Sequence, residues 1–234
     1  MKYFLLLMLL STAVLADTPV LMYHDINNDQ DDRYSVTALE FTEQMQWLAD
    51  NGYRAIPIQM LHIAKPKDIV ITFDDCYYSY LEHAYPVLQK HGFASTVNLV
   101  GAWVGTVIPD IKDRRALSWD DIKELRKSSL IEFGSHTNKL HHYKARGVKN
   151  AKRDRVFRDL LNFQRAMIKN TGRTTNIIAW PFGEYTEDAV AAGVGGGFED
   201  FLTSDRGAYA CDDKHIQRLV VQKDVKLADL LNGL

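Results

Sequence analysis

The sequence predicts an α/β fold, one (β/α) barrel domain built on a parallel sheet. Three observations carry this. Short β-rich runs alternate with helical periodicity, which implies parallel strands joined by right-handed crossovers. The strands number about eight, which suits a closed or nearly closed barrel better than a short open sheet. No internal repeat or low-complexity linker divides the chain, and no G-x-G-x-x-G follows the first strand, which argues against a Rossmann-type open sheet.

The elements follow in order. Residues 1–16 of "MKYFLLLMLLSTAVLAD" read as a signal peptide: Lys2 gives the positive start, Tyr3 to Leu10 the apolar run and Val14-Leu15-Ala16 the small-residue cleavage site. That run is short for a bilayer and nothing comparable follows, so no membrane span is expected. The mature domain would cover 17–234 and be exported, to the periplasm or the medium. "PVLMYH" (19–24) reads as a strand. A helix starts at Thr37, where Thr37 and Glu40 form a capping box before Phe41, Met45 and Leu48, and Gly52 stops it. "YRAIPI" and "IVITFDD" are strands. The helical stretch after them is interrupted or restarted at Pro86 and ends at Gly92. "ASTVNLV" is a strand, Ser118 caps "WDDIKELRKSS", and "LIEFGSH" is a strand. The longest helix lies within 149–171, with Phe157, Leu160, Leu161, Gln164, Met167 and Ile168 on one face. The strands "NIIAWPFG", "FEDFLTS" and "HIQRLVV" and the helix "KLADLLNGL" complete the chain.

Composition narrows the function. Without its first 16 residues the 234-residue chain is long enough for one sizeable core. A formal net charge of −2 supplies no global basic field, which argues against nucleic acid as the main partner. Two cysteines, Cys76 and Cys211, would reach an oxidising compartment, and the sequence leaves their pairing open. The cation-rich "KARGVKNAKRDRVFR" reads as a solvated helix face before it reads as a contact for an anionic polymer.

In a barrel of this kind the site lies at the carboxyl ends of the strands. Those ends gather Tyr23-His24-Asp25, Asp74-Asp75, Ser135-His136 with His141 and His142 beyond, and Pro181-Phe182-Gly183-Glu184. Two adjacent carboxylates after an apolar strand repel each other unless something positive lies between them. One carboxylate and two imidazoles form a common open triad for Zn²⁺ or Fe²⁺, and a cation of this kind would leave the second aspartate free to act as a base. His136 and His141 are five apart, about 140° round an ideal helix, so they converge only if "HTNKLH" is a loop folding back. His142 competes with His141 for that role.

"TFDD", "SHTNKLHH" and "WPFG", in this order and spacing, resemble the polysaccharide deacetylases (carbohydrate esterase family four), and among them the exported poly-N-acetylglucosamine deacetylases of biofilm formation. The resemblance runs from "LMYHDI" to "QRLVV". It implies a distorted (β/α) barrel that removes N-acetyl groups from glycans with water activated by one divalent ion, Zn²⁺ first, with Co²⁺, Ni²⁺ or Fe²⁺ as alternatives. Matched by position, it implies Asp75, His136 and His141 as ligands and Asp74 as general base. The backbone N–H of Phe182 would be the oxyanion donor. The partner would be an N-acetylated polysaccharide, with export or polymer-binding proteins left open, as is the oligomeric state. Peptidoglycan or chitin-like oligomers are alternative substrates, and a glycan-binding descendant without turnover is the non-enzymatic alternative. A non-haem iron oxygenase would use the same ligand types, but the alternating β/α pattern argues against its usual double-sheet scaffold.

Three departures from the family pattern stand out. Leu140 occupies the place where many members carry the second histidine, and His141 follows it, as the poly-N-acetylglucosamine branch tolerates. Ala179 replaces an arginine common two residues before the "PFG" proline. The late L-x-H segment that supplies a general acid is missing, with "IQRLVV" near its place, so His24 becomes the candidate acid. Cys76 stands where glycine is usual, and is strained if that backbone needs positive φ. Trp180, beside the expected oxyanion donor, is a candidate to stack on a sugar, with Tyr185 and Trp103 as lesser candidates for the same groove.

Overall fold

Eight strands paired in parallel curl into one sheet in the order β7-β6-β5-β4-β3-β1-β8, with β2 paired to β3 beside this path. The computed structural model describes residues 17–28, 34–109, 113–141, 147–210 and 215–233; the expected signal peptide, 1–16, lies outside them. The strands are β1 (Val20–Tyr23), β2 (Arg54–Ala55), β3 (Asp68–Phe73), β4 (Ser95–Leu99), β5 (Ile131–Ser135), β6 (Ile177–Ala179), β7 (Asp200–Leu202) and β8 (Leu219–Val220). The helices are α1 (Ala38–Asp50), α2 (Tyr85–His91), α3 (Trp119–Leu125), α4 (Arg153–Thr171), α5 (Glu187–Gly195) and α6 (Leu227–Asn232).

The two sheet edges meet through one short segment. Ile216 exchanges backbone hydrogen bonds with the β7 edge, Thr203 N–H to Ile216 O at 3.0 Å and Ile216 N–H to Phe201 O at 2.7 Å. Leu219 and Val220 then pair with Leu21 and Met22 of β1. Residues 216–220 thereby close the barrel, which removes the exposed edges of an open sheet.

Local chemistry explains the elements that position the site. Thr37 Oγ1 accepts from Glu40 N–H at 3.1 Å while Glu40 accepts from Thr37 N–H at 2.8 Å, the reciprocal cap expected for α1. This helix buries Phe41, Met45 and Leu48, and Phe41 meets the Tyr23 ring edge-on at 5.2 Å. The second expected strand shortens to Arg54–Ala55, because Pro57 fixes its own φ and a 3₁₀ turn, Ile58–Ile63, begins behind it. A wide π turn, Tyr80–Ala84, precedes α2, whose first turn holds Pro86, and Gly92 ends that helix at φ 66°. The buried stripe of α4 is Val156, Asp159, Leu160, Phe163, Gln164 and Met167, whereas Ile168 is exposed. The apolar pattern placed this face slightly off, because it could not show that the carboxylate of Asp159 is drawn inward.

Apolar side chains fill the barrel's lower interior: Val20, Val70, Ile177, Ala179 and Leu202, closed from beneath by Ile56, Ile58 and Leu61. Toward the carboxyl ends the fully or nearly fully buried residues turn polar, with Thr72, Asp74, Asn98, His136 and Arg218. Among the described residues no helix is long and apolar enough to cross a membrane.

Candidate metal centre

The chain leaves β3 through a turn that only a strained backbone can make. Asp75 and Cys76 both have left-handed φ values, 71° and 52°. Non-glycine residues in that region cost about 1–3 kcal/mol each and persist where the surroundings demand them. The turn aims the Asp75 carboxylate across the barrel mouth. The ligand atoms of Asp75, His136 and His141 lie within 4.8 Å of one another.

His136 follows β5, and its Nδ1 is 2.8 Å from the Ala179 carbonyl. A carbonyl only accepts, so Nδ1 carries the proton and the Nε2 lone pair faces Asp75 Oδ1 at 3.5 Å. Burial, the largest influence, pushes the His136 imidazole down to about 4, which keeps it neutral as a ligand must be. His141 Nε2 lies 3.0 Å from the same oxygen. Two imidazole nitrogens thus crowd a buried carboxylate oxygen that has no well-aligned hydrogen-bond partner among the described residues. An orphaned acceptor between two imidazole nitrogens is the arrangement a cation resolves. The donor set suits Zn²⁺ and fits Co²⁺, Ni²⁺ or Fe²⁺, and the Ala179 carbonyl is the outer partner that fixes the tautomer.

The loop between the two histidines folds back as the metal reading requires. Asp159 of α4 accepts from the N–H groups of Asn138 at 2.7 Å and Lys139 at 2.9 Å. Thr137 turns at φ 68° and Leu140 is buried, so His141 swings toward His136. The rings of Trp103, at 4.5 Å, and Phe182, at 4.7 Å, wall His141 on two sides. Its competitor His142 lies outside the described residues, as does Cys211. Cys76 is fully buried, and burial pushes its thiol well above the usual range.

Asp74 is held differently from its neighbour. Arg218 reaches it with both terminal nitrogens, Nη1 to Oδ1 at 2.9 Å and Nη2 to Oδ2 at 2.8 Å, and Asn98 Nδ2 donates to Oδ1 at 2.8 Å. Burial favours the neutral acid, but Arg218 outweighs it and holds the carboxyl well below its ordinary range. Arg218 is itself buried and also donates to the Thr203 carbonyl at 2.7 Å and Thr72 Oγ1 at 3.1 Å. Sequence reasoning missed this residue. It lies in the closing segment, inside the same "IQRLVV" that stands near the place of the missing acid motif. A single cation in an apolar strand was the available signal.

His24 follows β1, and its buried Nδ1 finds no hydrogen-bond partner among the described residues. It lies within electrostatic reach of both Asp74 and Asp75. Asp25 turns away and binds Arg114 Nε at 2.7 Å, Ser79 and Asn27, so it anchors the strand end. Phe182 sits in the turn after β6 at φ 59°, with its ring 44% exposed. Trp180 corrects an expectation: it is fully buried, between Tyr185 at 6.5 Å and Phe201 at 6.1 Å, and offers no face to a sugar. The strand alternation that turns Ala179 inward turns Trp180 outward under the helices. Tyr185 is half-buried and stacks on His215 at 4.7 Å.

The fold and the carboxylate–imidazole face are those of a (β/α)-barrel hydrolase. Residues 62–199, more than half of the chain, match the family model described as polysaccharide deacetylase, and the chain belongs to that family. It is 29% identical over 204 residues to a putative polysaccharide deacetylase, YxkH, of Bacillus subtilis, covering 84% of this chain and 68% of that protein. It is 25% identical over 247 residues to the poly-beta-1,6-N-acetyl-D-glucosamine N-deacetylase of Escherichia coli, covering 88% of this chain but only 37% of that protein. In fold it resembles a de-N-acetylase from Aggregatibacter actinomycetemcomitans, with TM-score 0.80, 23% identity and coverage of 93% and 99% of the two chains.

Proposed function

We propose that this chain is an exported, metal-dependent N-deacetylase that hydrolyses N-acetyl groups on an N-acetylglucosamine polymer, poly-β-1,6-N-acetylglucosamine foremost. The observation that carries the reading is the division of labour between adjacent carboxylates: Asp75 points at two imidazoles, while Asp74 is pinned by Arg218 and Asn98. A module that only bound glycans would have no use for the second, separately held carboxylate. The E. coli relative, a poly-beta-1,6-N-acetyl-D-glucosamine N-deacetylase, supports the substrate, and the apolar leader at residues 3–10 supports the export.

Asp75, His136 and His141 would hold one divalent ion, which when bound supplies Lewis acidity to the amide oxygen and to the attacking water. Asp74 would accept a proton from the attacking water, its carboxylate held in place by Arg218 and Asn98. The Phe182 N–H donates to the oxyanion that develops on the acetyl carbon, a contribution of about 100- to 1,000-fold for such donors. His24, whose buried Nδ1 finds no partner among the described residues, would donate a proton to the departing sugar nitrogen. Trp103, Phe182 and Tyr185 supply the aromatic walls along which the sugar rings would lie.

The test is acetate release from poly-N-acetylglucosamine oligomers by the mature protein, with chelator and then with restored metal. Release that chelation abolishes and Zn²⁺, Co²⁺ or Ni²⁺ restores is expected. Asp75→Ala should lose both metal and turnover. Asp74→Ala should keep the metal and lose about 100- to 10,000-fold in kcat, the usual contribution of a general base. Equal metal loss in the two variants, or no release by the folded, metal-loaded protein, would overturn the reading; release only from chitin-like or peptidoglycan oligomers would move the substrate.

A further inference from the structure

Asn98 is a fully buried amide in the middle of a parallel sheet, and only half of it is satisfied. Its side chain lies on the inner face of β4, opposite Gly134 of β5 in register. The amide nitrogen donates at 2.8 Å to Asp74 Oδ1, the carboxylate that also accepts from both terminal nitrogens of Arg218, which directs the amide oxygen the other way. That oxygen finds no hydrogen-bond partner among the described residues. A folded core seldom leaves such an acceptor unpaired, because a leucine of similar size would avoid the cost. Gly134 belongs to the same arrangement. Its φ is ordinary, so the backbone does not require glycine there. A Cβ at that position would lie 2.2 Å from Asn98 Oδ1 and 2.9 Å from Ile177 Cγ2. The glycine exists to make room for the amide.

We propose that Asn98 is a positioning residue for the reaction, acting through Asp74, and that Gly134 is required for it to do so. The inference rests on the proposed role of Asp74 as base. Arg218 grips both carboxylate oxygens from one side, and this fork alone leaves the carboxylate free to rock about the guanidinium plane. Asn98 closes the other side at Oδ1. Two donors then occupy Oδ1 and one occupies Oδ2, so the lone pair that remains for a water proton is on Oδ2, in a fixed direction. The same grip keeps Asp74 from swinging toward the imidazoles, so only Asp75 serves as a ligand.

The experiment compares Asn98→Leu, Asn98→Ser and Gly134→Ala with the unsubstituted, metal-loaded protein, reading kcat, KM, metal content and thermal midpoint. Asn98→Leu should lower kcat about 10- to 100-fold, the loss expected for one hydrogen bond to a charged group, with KM and metal content unchanged. Its thermal midpoint should hold or rise, because the orphaned oxygen is gone. A merely structural asparagine would show the reverse, a lower midpoint with kcat intact, and that result overturns the proposal. Asn98→Ser, too short to reach Asp74, keeps the test open if leucine fails to fold, and should show the same kcat loss. Gly134→Ala should share that loss, and in an Asp74→Asn background Asn98→Leu should cost nothing further; an additive loss there overturns the coupling. If the unsubstituted protein releases no acetate, the base assignment fails, and the orientation of Asp74 in crystals of Asn98→Leu decides this inference. A carboxylate turned about the Arg218 fork supports it, and an unmoved one overturns it.

Discussion

Trp180 and Phe182 are two positions apart and live in opposite environments, which makes them a direct test of what each side chain does. The Trp180 ring is fully buried among Tyr185 and Phe201, while the Phe182 ring is 44% exposed against His141. Removing a buried aromatic typically costs about 3–5 kcal/mol, so Trp180→Ala should lower the urea midpoint steeply while the folded fraction keeps its KM. Phe182→Ala retains the backbone N–H that would meet the oxyanion and the same left-handed φ. It should move stability by less than about 1 kcal/mol, as exposed positions do, and act instead on KM through the lost wall beside His141. Equal stability loss in both variants would show that the Phe182 ring is a core element. The sequence placed both residues at the strand end correctly but could not separate them, because inward or outward direction depends on where the strand begins its alternation.

At the scale of elements, the candidate metal centre depends on a helix that contributes none of its three candidate ligands. Asp159 of α4 holds the N–H groups of Asn138 and Lys139 and so bends the loop that returns His141 to His136. Outer supports of this type commonly change metal affinity about 10- to 100-fold. Asp159→Ala should therefore weaken Zn²⁺ binding by that factor in competition with a chromogenic chelator, and Asp159→Asn, which keeps one acceptor, should fall between. Unchanged affinity in both would show that Leu140 packing alone sets the loop. How much of the site was legible follows the same division. Asp74, Asp75 and His136 could be read because strand ends announce themselves by β-rich runs that stop at polar residues. His141 could be named only as one of two candidates, since the fold of "HTNKLH" is decided by a carboxylate 20 and more positions away. Arg218 was visible only as a cation in an apolar run, and its role lay beyond reach because its partner Asp74 is 144 positions distant. Closure of the barrel through 216–220 was expected only as a number of strands. The face of α4 was misjudged at Ile168 for the reason that makes Asp159 matter: a polar residue turned inward counts against an apolar stripe.

Across the whole molecule the two ends of the barrel carry ionisable groups shifted in opposite senses. His136, at the carboxyl end, is pushed down to about 4 by burial. Glu132, four residues earlier on the same strand, sits at the amino end and accepts from the Ile58 N–H at 3.2 Å; burial, its main influence, pushes it up to about 7. Asp200, at the start of β7, is pushed up to about 6 by burial and by Glu199. The signs follow from linkage. In the metal-free protein His136 binds fewer protons folded than unfolded between pH 4 and 6.5, so its contribution to stability grows as pH rises through that window. Glu132 binds more protons folded than unfolded above its ordinary value of 4.5, so its contribution is fully present below that pH and is lost as pH rises through about 7. The opposing slopes partly cancel in the unsubstituted chain, and a single pH curve would hide both. Glu132→Gln fixes that side chain in its neutral form and leaves Asp200 and the carboxyl end to titrate as before. With chelator present throughout, urea midpoints measured from pH 4.5 to 8 should therefore diverge. The variant should gain on the unsubstituted protein steadily between pH 5 and 7 and hold a constant advantage above. Parallel curves would mean that Glu132 is charged in the folded protein at neutral pH, and that the lower end of this barrel solvates a carboxylate despite its apolar floor.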